Sequence, residues 1–527
     1  MQDSPNAIVI GAGPNGLVAA NVLADAGWSV LVLEAQHDVG GAVRSDRELD
    51  PAFVHDTFSA FYPLGAASPV IQRLGLEEYG LRWRRAPAVL GNPLPDGSWA
   101  LVYDDIDDTA AALERHAAGD GEQWRALHDD WQRIGPGLVE SLMSPFPPVV
   151  GGIKTIARLP RVGGLAYVRM LLEPAQQLAE TRFSSQAARL LLAGNAGHSD
   201  IPLDAPGSGL MALVMSMLAQ TVGFPVPEGG AGELTKAMAR RLEALGGEVR
   251  CDAHVDAIQV RERRARAVVL HTGETLHAGR AVLADVVAPR LYGGLVDWAD
   301  LPQRTRDNMQ HFQLDPSTVK VDWALDRPVP WASPPDRMPG TVHLADSTDQ
   351  LVSSLQQIDV HTVPAEPFLL IGQMTTTDPT RSPAGTESFW AYTHVPQEVH
   401  ADAGEEGITG AWDHDDAERM ADRMQRRIER YAPGFGSTIT ARRVLTPPEL
   451  ERRDENLIGG AINGGTAELH QQLVFRPVPG LGRAETPVRG LFLASASAHP
   501  GGGVHGAAGN NAARAAIAAH RIGRLRG

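Results

Sequence analysis

The first segments of the chain alternate between short apolar runs and a stretch with helical periodicity. Residues 7–10 and 28–34 are the apolar runs, and residues 17–26 between them have helical character. Short apolar runs next to turn residues are typical of buried strands, whereas a longer periodic stretch is typical of a helix. The pattern therefore predicts a β-α-β unit at the start of the chain.

A glycine turn, Gly11-Ala12-Gly13-Pro14-Asn15-Gly16, joins the first predicted strand to the helix. The G-x-G-x-x-G spacing permits a tight turn, close approach of backbone to a pyrophosphate, and close packing of helix on strand. The helix N-terminus also favours phosphate through its N–H groups and dipole. Glu34 ends the second strand, where a carboxylate accepts hydrogen bonds from ribose hydroxyls and disfavours a 2′-phosphate. The predicted dinucleotide contacts are Gly11, Gly13, Pro14, Asn15, Gly16, Glu34 and Ala35.

This fingerprint alone does not distinguish NAD from FAD. Similar alternation returns later in the chain, with a predicted helix at 233–245 and predicted strands at 248–255, 268–270 and 281–284. The tail has a predicted strand at 490–494, a glycine loop at 500–503 and an alanine-rich helix at 506–519.

Length and composition narrow the class of protein. At 527 residues the chain exceeds the roughly 250 to 300 at which single cores stop growing, so two or more domains are expected. A formal charge of -16 argues against nucleic acid as a partner, because that needs a basic surface. Cys251 is the only cysteine, which excludes an internal disulfide and a dithiol mechanism. No metal site is predicted, and the acidic run 413–416 is interpreted as a solvated loop.

The expected location is the cytoplasm of a bacterium. A single cysteine fits a reducing compartment, and the first residues do not form the basic n-region of a secretory signal. Only Lys154, Lys236 and Lys320 are lysines among 47 basic residues, a bias that fits a GC-rich bacterial genome. Residues 143–172 are apolar with scattered basic side chains, and they are a candidate for peripheral contact with an anionic membrane.

Two stretches resemble motifs of FAD-binding proteins and therefore favour FAD over NAD as the cofactor. Gly40-Gly41-Ala42-Val43-Arg44 resembles the extension seen in flavoproteins of the glutathione-reductase-like and amine-oxidase-like class, where the arginine lies near the pyrophosphate. Residues 490–494 followed by His499-Pro500-Gly501-Gly502-Gly503-Val504-His505-Gly506 resemble the C-terminal flavin motif of the phytoene desaturase and carotenoid oxidoreductase superfamily. The closest branch by resemblance is that of the pyridine nucleotide-disulphide oxidoreductase domain-containing proteins, judged from residues 55–57, 68–69, 80–83 and 472–477.

The resemblance implies FAD as cofactor and an α/β fold, α+β overall. It implies a Rossmann-like FAD-binding domain of the glutathione-reductase/amine-oxidase type, with an interleaved substrate domain and a helical subdomain. The expected ranges are 1–75, 226–292 and 456–527 for FAD binding, 76–140 and 293–455 for the substrate domain, and 141–225 for the helical subdomain. The further FAD contacts implied are Gly41, Arg44, Val255, Ala284, Gly501, Gly502, Gly503 and Val504.

The implied activity is desaturation or dehydrogenation of an apolar polyene, lipid or polyketide-like substrate, by hydride transfer to flavin N5. No second nucleotide fingerprint occurs, so electrons are expected to pass to a diffusible acceptor: oxygen, a quinone or NAD(P)+. Residues 205–227 carry no charge and either line an apolar tunnel or form a buried core helix. Two alternatives remain: a flavin-dependent isomerase or saturase without net oxidation, and a non-catalytic flavoprotein that acts as an interaction partner.

The candidate catalytic residues are two histidines beside the expected flavin loop. His499 and His505 are candidates because a neutral imidazole shuttles a proton near pH 7. A histidine in a loop is more often structural, and that reading stays open for both. His55 and Asp56 are weaker candidates.

Overall fold

The computed structural model describes residues 4–199 and 201–526. Met1, Gln2, Asp3, Asp200 and Gly527, which belong to the predicted domain ranges, lie outside the described residues. The strands, β1 to β21 in chain order, are Ala7–Ile10, Val30–Leu33, Ser45–Asp46, His55–Asp56, Trp83–Arg84, Ala88–Pro93, Trp99–Val102, Val226–Pro227, Glu248–Arg250, Val255–Arg261, Arg264–Leu270, Thr275–His277, Ala281–Ala284, Ser317–Leu325, Pro339–Leu344, Thr362–Val363, Leu369–Gln373, Glu387–Val395, Ala401–Asp402, Ile439–Leu445 and Leu491–Leu493.

The α-helices, α1 to α18 in chain order, are Pro14–Asp25, Pro63–Ala67, Pro69–Gln72, Ile106–Glu114, Asp120–Met143, Val149–Arg158, Leu165–Leu172, Ala175–Arg182, Gln186–Ala196, Ser208–Thr221, Gly232–Ala244, Ala288–Arg290, Gln303–Met309, Thr348–Asp359, Met374–Thr377, His414–Glu429, Pro447–Arg453 and Ala507–Arg526. The first helix starts three residues before the periodic stretch because Pro14 fits the first helical position, where no N–H is needed.

A parallel sheet with the order β21-β13-β1-β2-β9 unites the two ends of the chain. Strands β1, β2 and β13 are buried along their whole length, as expected of parallel strands covered on both faces. Helices α1, α11 and α18 contribute to the core on one face. The antiparallel sheet β10-β11-β12 contributes to the core on the other.

The single strand predicted at 248–255 is wrong. Strand β9 ends at Arg250 in the parallel sheet, and β10 begins at Val255 in the three-stranded sheet. The chain changes direction at Asp252, which has a φ of 53°, and Ala253 N donates to Glu34 O at 2.8 Å. This left-handed residue breaks the apolar run into two strands, a conformation that a hydrophobic pattern does not reveal.

A seven-stranded sheet forms the second layer, with the order β20-β14-β18-β17-β15-β6-β7. Helix α16 packs on one of its faces. The acidic run 413–416 is therefore not a loop: Asp413 caps this helix and accepts from Asp416 N at 3.0 Å. The run is a helix start, where an acidic side chain satisfies a free N–H group.

Helices α5 to α10 form a third unit around an apolar core that includes Trp124, Leu191 and Met217. Helix α10 is buried within this core, so residues 205–227 contain the buried core helix that was one of the two open readings. Among the described residues, no helix has the length and apolarity needed to cross a bilayer. The architecture is the predicted α/β class, whereas the exact domain boundaries stay a prediction.

Candidate functional site

The glycine turn, residues 11–16, follows β1 at the carboxyl edge of the parallel sheet. Gly11 N donates to Leu33 O at 2.7 Å, and its φ of 93° favours glycine. A Cβ at Gly16 would lie 2.1 Å from the Gly11 carbonyl oxygen, so no side chain fits there. Gly13, the N-cap of α1, offers no side-chain oxygen to the helix. The turn therefore has the geometry of a helix N-terminus that binds an anion.

Two carboxyl groups bind the backbone of this turn. Glu34 accepts from Ala12 N at 2.8 Å and from Gln36 N at 2.9 Å, and burial raises its pKa. Asp285 accepts from Gly16 N at 2.8 Å. Burial, with the neighbouring charges of Asp454 and Glu34, raises the pKa of Asp285 to about 7.

The sequence identified Glu34 but not Asp285 or Asp454 as site residues. The position of Asp285 could have marked it as a site residue, because it directly follows β13, which lies beside β1 in the parallel sheet. The carboxyl ends of parallel strands meet at one edge, where ligands bind. Asp454 follows α17, and nothing in its local sequence marks it; burial raises its pKa too.

The segment after Glu34 folds back over the turn. Gly40 N donates to Ala12 O at 2.9 Å, and a Cβ at Gly41 would lie 3.2 Å from Gly13 Cα. Arg44 Nη2 donates to Arg453 O at 2.7 Å. Gly41 thus packs against the turn, whereas contact of Gly41 and Arg44 with a pyrophosphate stays a prediction.

The remaining predicted contacts near the glycine turn differ in their burial. Asn15 Oδ1 is buried without a hydrogen-bond partner, whereas Ala35 is exposed. Val255 and Ala284 are buried in the apolar core beneath the parallel sheet. Their contact with an adenine stays a prediction.

The C-terminal loop, residues 495–506, brings the far end of the chain to the same site. Ala494 N donates to Ala284 O at 2.7 Å before the loop, and α18 begins directly after it. A Cβ at Gly509 in α18 would lie 1.9 Å from Asn15 O, so the two helices touch at the glycine turn. The predicted residues Gly501, Gly502, Gly503 and Val504 all lie in this loop.

Arg476 is a site residue that the sequence reasoning did not select. Its side chain is fully buried beneath the C-terminal loop, and a Cβ at Gly501 would lie 3.2 Å from its Cζ. The guanidinium donates at 2.8–3.3 Å to the backbone carbonyls of Asn463, Gly465, Thr466 and Ala496. Burial lowers its pKa to about 10, so the group stays positively charged at neutral pH.

Both candidate catalytic histidines lie in the C-terminal loop and are buried. His505 Nδ1 accepts from Ala507 N at 3.0 Å, so this ring caps the start of α18. His499 Nε2 is 3.1 Å from Ser144 O, and its Nδ1 has no partner. Burial lowers both pKa values, that of His505 to about 4, so both rings are neutral at pH 7. A catalytic role for either stays a prediction, and the cap gives His505 a structural role.

The weaker candidates belong to a buried ionic cluster. Asp56 accepts from Arg381 Nη1 and from Ala231 N, each at 2.8 Å. Lys320 Nζ donates to Asp56 O at 2.9 Å and pairs with Asp322. His55 is fully buried, and burial lowers its pKa. The Asp56 carboxylate therefore joins β4 to Arg381 and to the start of α11, and its backbone carbonyl joins β4 to Lys320 in the seven-stranded sheet.

One group among the described residues has the spacing of metal ligands: His254, Asp256 and His271. Asp256 hydrogen-bonds the two rings at 2.9 and 3.0 Å, and Asp256 and His271 are exposed. Exposed groups of this kind are common without a metal, and the cluster carries no further argument.

Comparison with known proteins places the chain in a family. Residues 9–74 match the NAD(P)-binding Rossmann-like domain family. The chain is similar to pyridine nucleotide-disulfide oxidoreductase domain-containing protein 2 of Mus musculus, with 30% identity over 96% of this chain and 92% of the relative. It is also similar to phytoene desaturase of Fusarium fujikuroi, with 24% identity over 94% of this chain and 86% of the relative.

Solved structures support the fold. An oxidoreductase from Methanosarcina mazei has 16% identity and a TM-score of 0.62 over 97% of this chain and 99% of its own. Putrescine oxidase has 20% identity and a TM-score of 0.61 over 98% of each chain. The solved structures confirm the predicted fold class. The sequence relatives confirm the predicted superfamily and cofactor. The chain belongs to the family of pyridine nucleotide-disulfide oxidoreductase domain-containing protein 2, within the phytoene desaturase superfamily of FAD-dependent oxidoreductases.

Proposed function

We propose that this enzyme desaturates or dehydrogenates a largely apolar substrate and passes the electrons to a diffusible acceptor. The observation that carries the proposal is the position of the C-terminal loop. A Cβ at Gly65 would lie 2.8 Å from Val504 O on this loop, and the Phe61 ring lies 6.0 Å from that of Trp390 in the seven-stranded sheet. Residues 61–65 therefore connect the C-terminal loop to the seven-stranded sheet, and a flavin ring beside this loop would reach both the nucleotide site and a substrate.

The residues of this site fit an FAD molecule. The glycine turn and the α1 N-terminus suit the pyrophosphate, Glu34 suits a ribose, and the buried Asn15 Oδ1 has an acceptor position unused by protein. Arg44, Gly41 and the loop residues Gly501 to Val504 would complete the contacts, with Val255 and Ala284 towards the adenine. When bound, FAD supplies the hydride acceptor.

The chain's own residues orient the reactants and stabilise charge. Arg476 holds a positive charge behind the C-terminal loop, where it would favour a negatively charged reduced ring. The buried surroundings of the loop exclude water from the reacting C–H bond. His499, with an unpaired Nδ1, is the better of the two histidine candidates for holding a proton.

Anaerobic reduction tests the proposed activity. The holoenzyme would be mixed with lipid extracts without oxygen, and the reduced enzyme would then receive oxygen, a quinone or NAD(P)+. We expect bleaching of the flavin followed by reoxidation with oxygen or a quinone. Rapid reoxidation by NAD(P)+ alone would contradict the expected electron transfer to oxygen or a quinone. A product with the mass of the substrate would favour the isomerase alternative.

We also propose peripheral contact with an anionic membrane. The apolar side chains of Ile153, Ile156, Leu165 and Leu172 are 55–85% exposed on α6 and α7. Arg158 and Arg161 lie between Ile156 and Leu165 on the same segment. Leu469, on a second exposed segment at 469–475, packs at Gly207 beside Leu172. Basic and exposed apolar side chains together suit an anionic bilayer surface.

Vesicle sedimentation tests this contact. Wild-type protein should sediment with vesicles of phosphatidylglycerol more than with vesicles of phosphatidylcholine. Leu165→Ser should weaken sedimentation roughly tenfold, given about 25 cal/mol per Å² of apolar surface that leaves water. Leu245→Ser, which removes an exposed leucine outside this surface, is the matched control. Equal sedimentation with both lipids, or an equal effect of the two variants, would contradict the proposal.

A further inference from the structure

One face of the seven-stranded sheet carries polar side chains although protein covers it. Residues opposite one another on adjacent strands share a face, and so do residues two apart on one strand. One row across β14, β18, β17 and β15 is Asp322, Trp390, Gly372 and Thr341. The next row is Lys320, Tyr392, Leu370 and His343. We call these two rows the polar face.

Three side chains of the polar face have a buried polar atom without a hydrogen-bond partner. The atoms are Trp390 Nε1, Thr341 Oγ1 and His343 Nδ1. The three side chains are only 5%, 2% and 1% exposed. Buried polar atoms are normally paired, so three unpaired atoms in two adjacent rows require an explanation.

Residues 61–64 connect the polar face to the C-terminal loop. A Cβ at Gly372 would lie 2.2 Å from Trp390 Cε2, so the indole lies over this glycine, between β18 and Thr341. Phe61 contacts the same indole, and Leu64 reaches the loop, where a Cβ at Gly503 would lie 2.7 Å from Leu64 Cδ1. The Trp390 ring therefore faces residues 61–64, which also contact the C-terminal loop, so a substrate beside the proposed flavin would meet this part of the polar face.

The charges on this face suit an uncharged ligand. Lys320 is paired with Asp322, and Asp322 also pairs with Arg443 at 2.7 Å, so its carboxylate is already neutralised. His343 Nε2 lies 2.7 Å from His198 Nε2, which covers the face from the helical unit. Burial lowers the pKa of His198 to about 3 and holds that of His343 well below its ordinary value. An ammonium group would find neutral rings here instead of a free carboxylate.

The polar atoms also indicate which kind of group they would bind. An indole N–H only donates, so Trp390 requires an acceptor. A hydroxyl such as that of Thr341 both donates and accepts, as does the imidazole of His343 according to its tautomer. An alcohol or carbonyl oxygen would satisfy the indole N–H and the Thr341 hydroxyl, whereas a pure hydrocarbon satisfies neither. His343 Nδ1 instead faces helix α9, where a Cβ at Gly194 would lie 2.8 Å from it.

We infer that the substrate is a largely apolar molecule that bears an uncharged oxygen, as an alcohol or a carbonyl group, and that Trp390 and Thr341 bind this oxygen. The inference rests on the proposed function for the position of the substrate. It adds a neutral oxygen to the apolar substrate class and makes Trp390 and Thr341 specificity-determining residues.

Calorimetric titration of the holoenzyme with octanol, octanal, octane and octylamine tests the inference. The four probes share an apolar chain and differ only at its end. Octanol and octanal should bind roughly tenfold more tightly than octane, and octylamine more weakly than octanol. Equal affinity for octane and octanol, or tightest binding of octylamine, would overturn the inference.

Two variants locate the effect. Trp390→Phe and Thr341→Val should each weaken octanol binding roughly three- to tenfold and leave octane binding unchanged. Trp323→Phe is the matched control, because Trp323 Nε1 is also buried and unpaired but lies on the opposite face, against Phe389 and Phe435. Equal losses in Trp390→Phe and Trp323→Phe would contradict the assignment. Failure of the wild-type protein to bind FAD would refute the proposed function, whereas the ratio of octanol to octane affinity can be measured with or without flavin.

Discussion

The glycine turn and the polar face are built differently. The turn is formed by six consecutive residues whose backbone atoms make the site. The polar face is assembled from β14, β15, β17 and β18, and side chains make it. If the turn binds the cofactor as proposed, recognition depends on backbone geometry that a short motif must encode. The proposed substrate contacts depend instead on cross-strand neighbours that no local pattern marks.

The largest expected effect is at the turn. Gly16→Val should abolish FAD binding, with a loss of at least roughly 100-fold in affinity, because a Cβ would lie 2.1 Å from the Gly11 carbonyl oxygen. Fluorescence titration of the flavin-free protein with FAD measures the loss, and circular dichroism checks the fold. Gly294→Ala is the control, since a Cβ there meets nothing within 4 Å. Undiminished FAD binding by the Gly16 variant would show that the turn does not hold the cofactor.

An intermediate effect is expected at Arg476, which lies beneath the C-terminal loop. Arg476→Met removes a buried positive charge, so the midpoint potential of the flavin should fall by on the order of 30–60 mV. Arg476→Lys keeps the charge and should lower the potential less. Arg427→Met is the control, because Arg427 is equally buried but pairs with Asp346 at 2.8 Å. Equal flavin midpoint potentials in Arg476→Met and in the wild type would contradict an electrostatic role of Arg476.

The smallest effect concerns pH. The pKa of Asp285 is about 7 in the folded chain against an ordinary value of 3.8, so the folded state binds more protons between these values. Its contribution to stability therefore falls as pH rises through this window. In flavin-free protein, Asp285→Asn should make the melting temperature less dependent on pH between about 4 and 7. The exposed substitution Glu77→Gln should leave the slope unchanged, and an unaltered slope in Asp285→Asn would contradict the burial argument.

Much of the nucleotide end could be predicted because its determinants are local. Gly11, Gly16 and Glu34 lie within one β-α-β unit, and the hydrophobic pattern located its strands. The break between β9 and β10 was missed because it depends on the left-handed conformation of Asp252, which a pattern of apolar residues does not encode. The C-terminal loop was located only through resemblance, since Gly501 lies 485 positions after Gly16 in the sequence.

The substrate side could not be predicted for the same reason. Trp390, Gly372 and Thr341 become neighbours only when β18, β17 and β15 pair in one register. Arg476 could not be predicted as a site residue either, because it donates hydrogen bonds to backbone carbonyls at residues 463–466 and 496, which surround it only in the folded chain. Its surrounding sequence suggested only a family resemblance.

The flavin content of the purified protein tests the central claim most directly. The account predicts a yellow protein that releases FAD, one molecule per chain, when it is denatured, and that takes up FAD again after its removal. The released flavin would be identified by mass spectrometry. A colourless protein that does not bind added FAD would contradict the claim that the glycine turn and the C-terminal loop together form one FAD site.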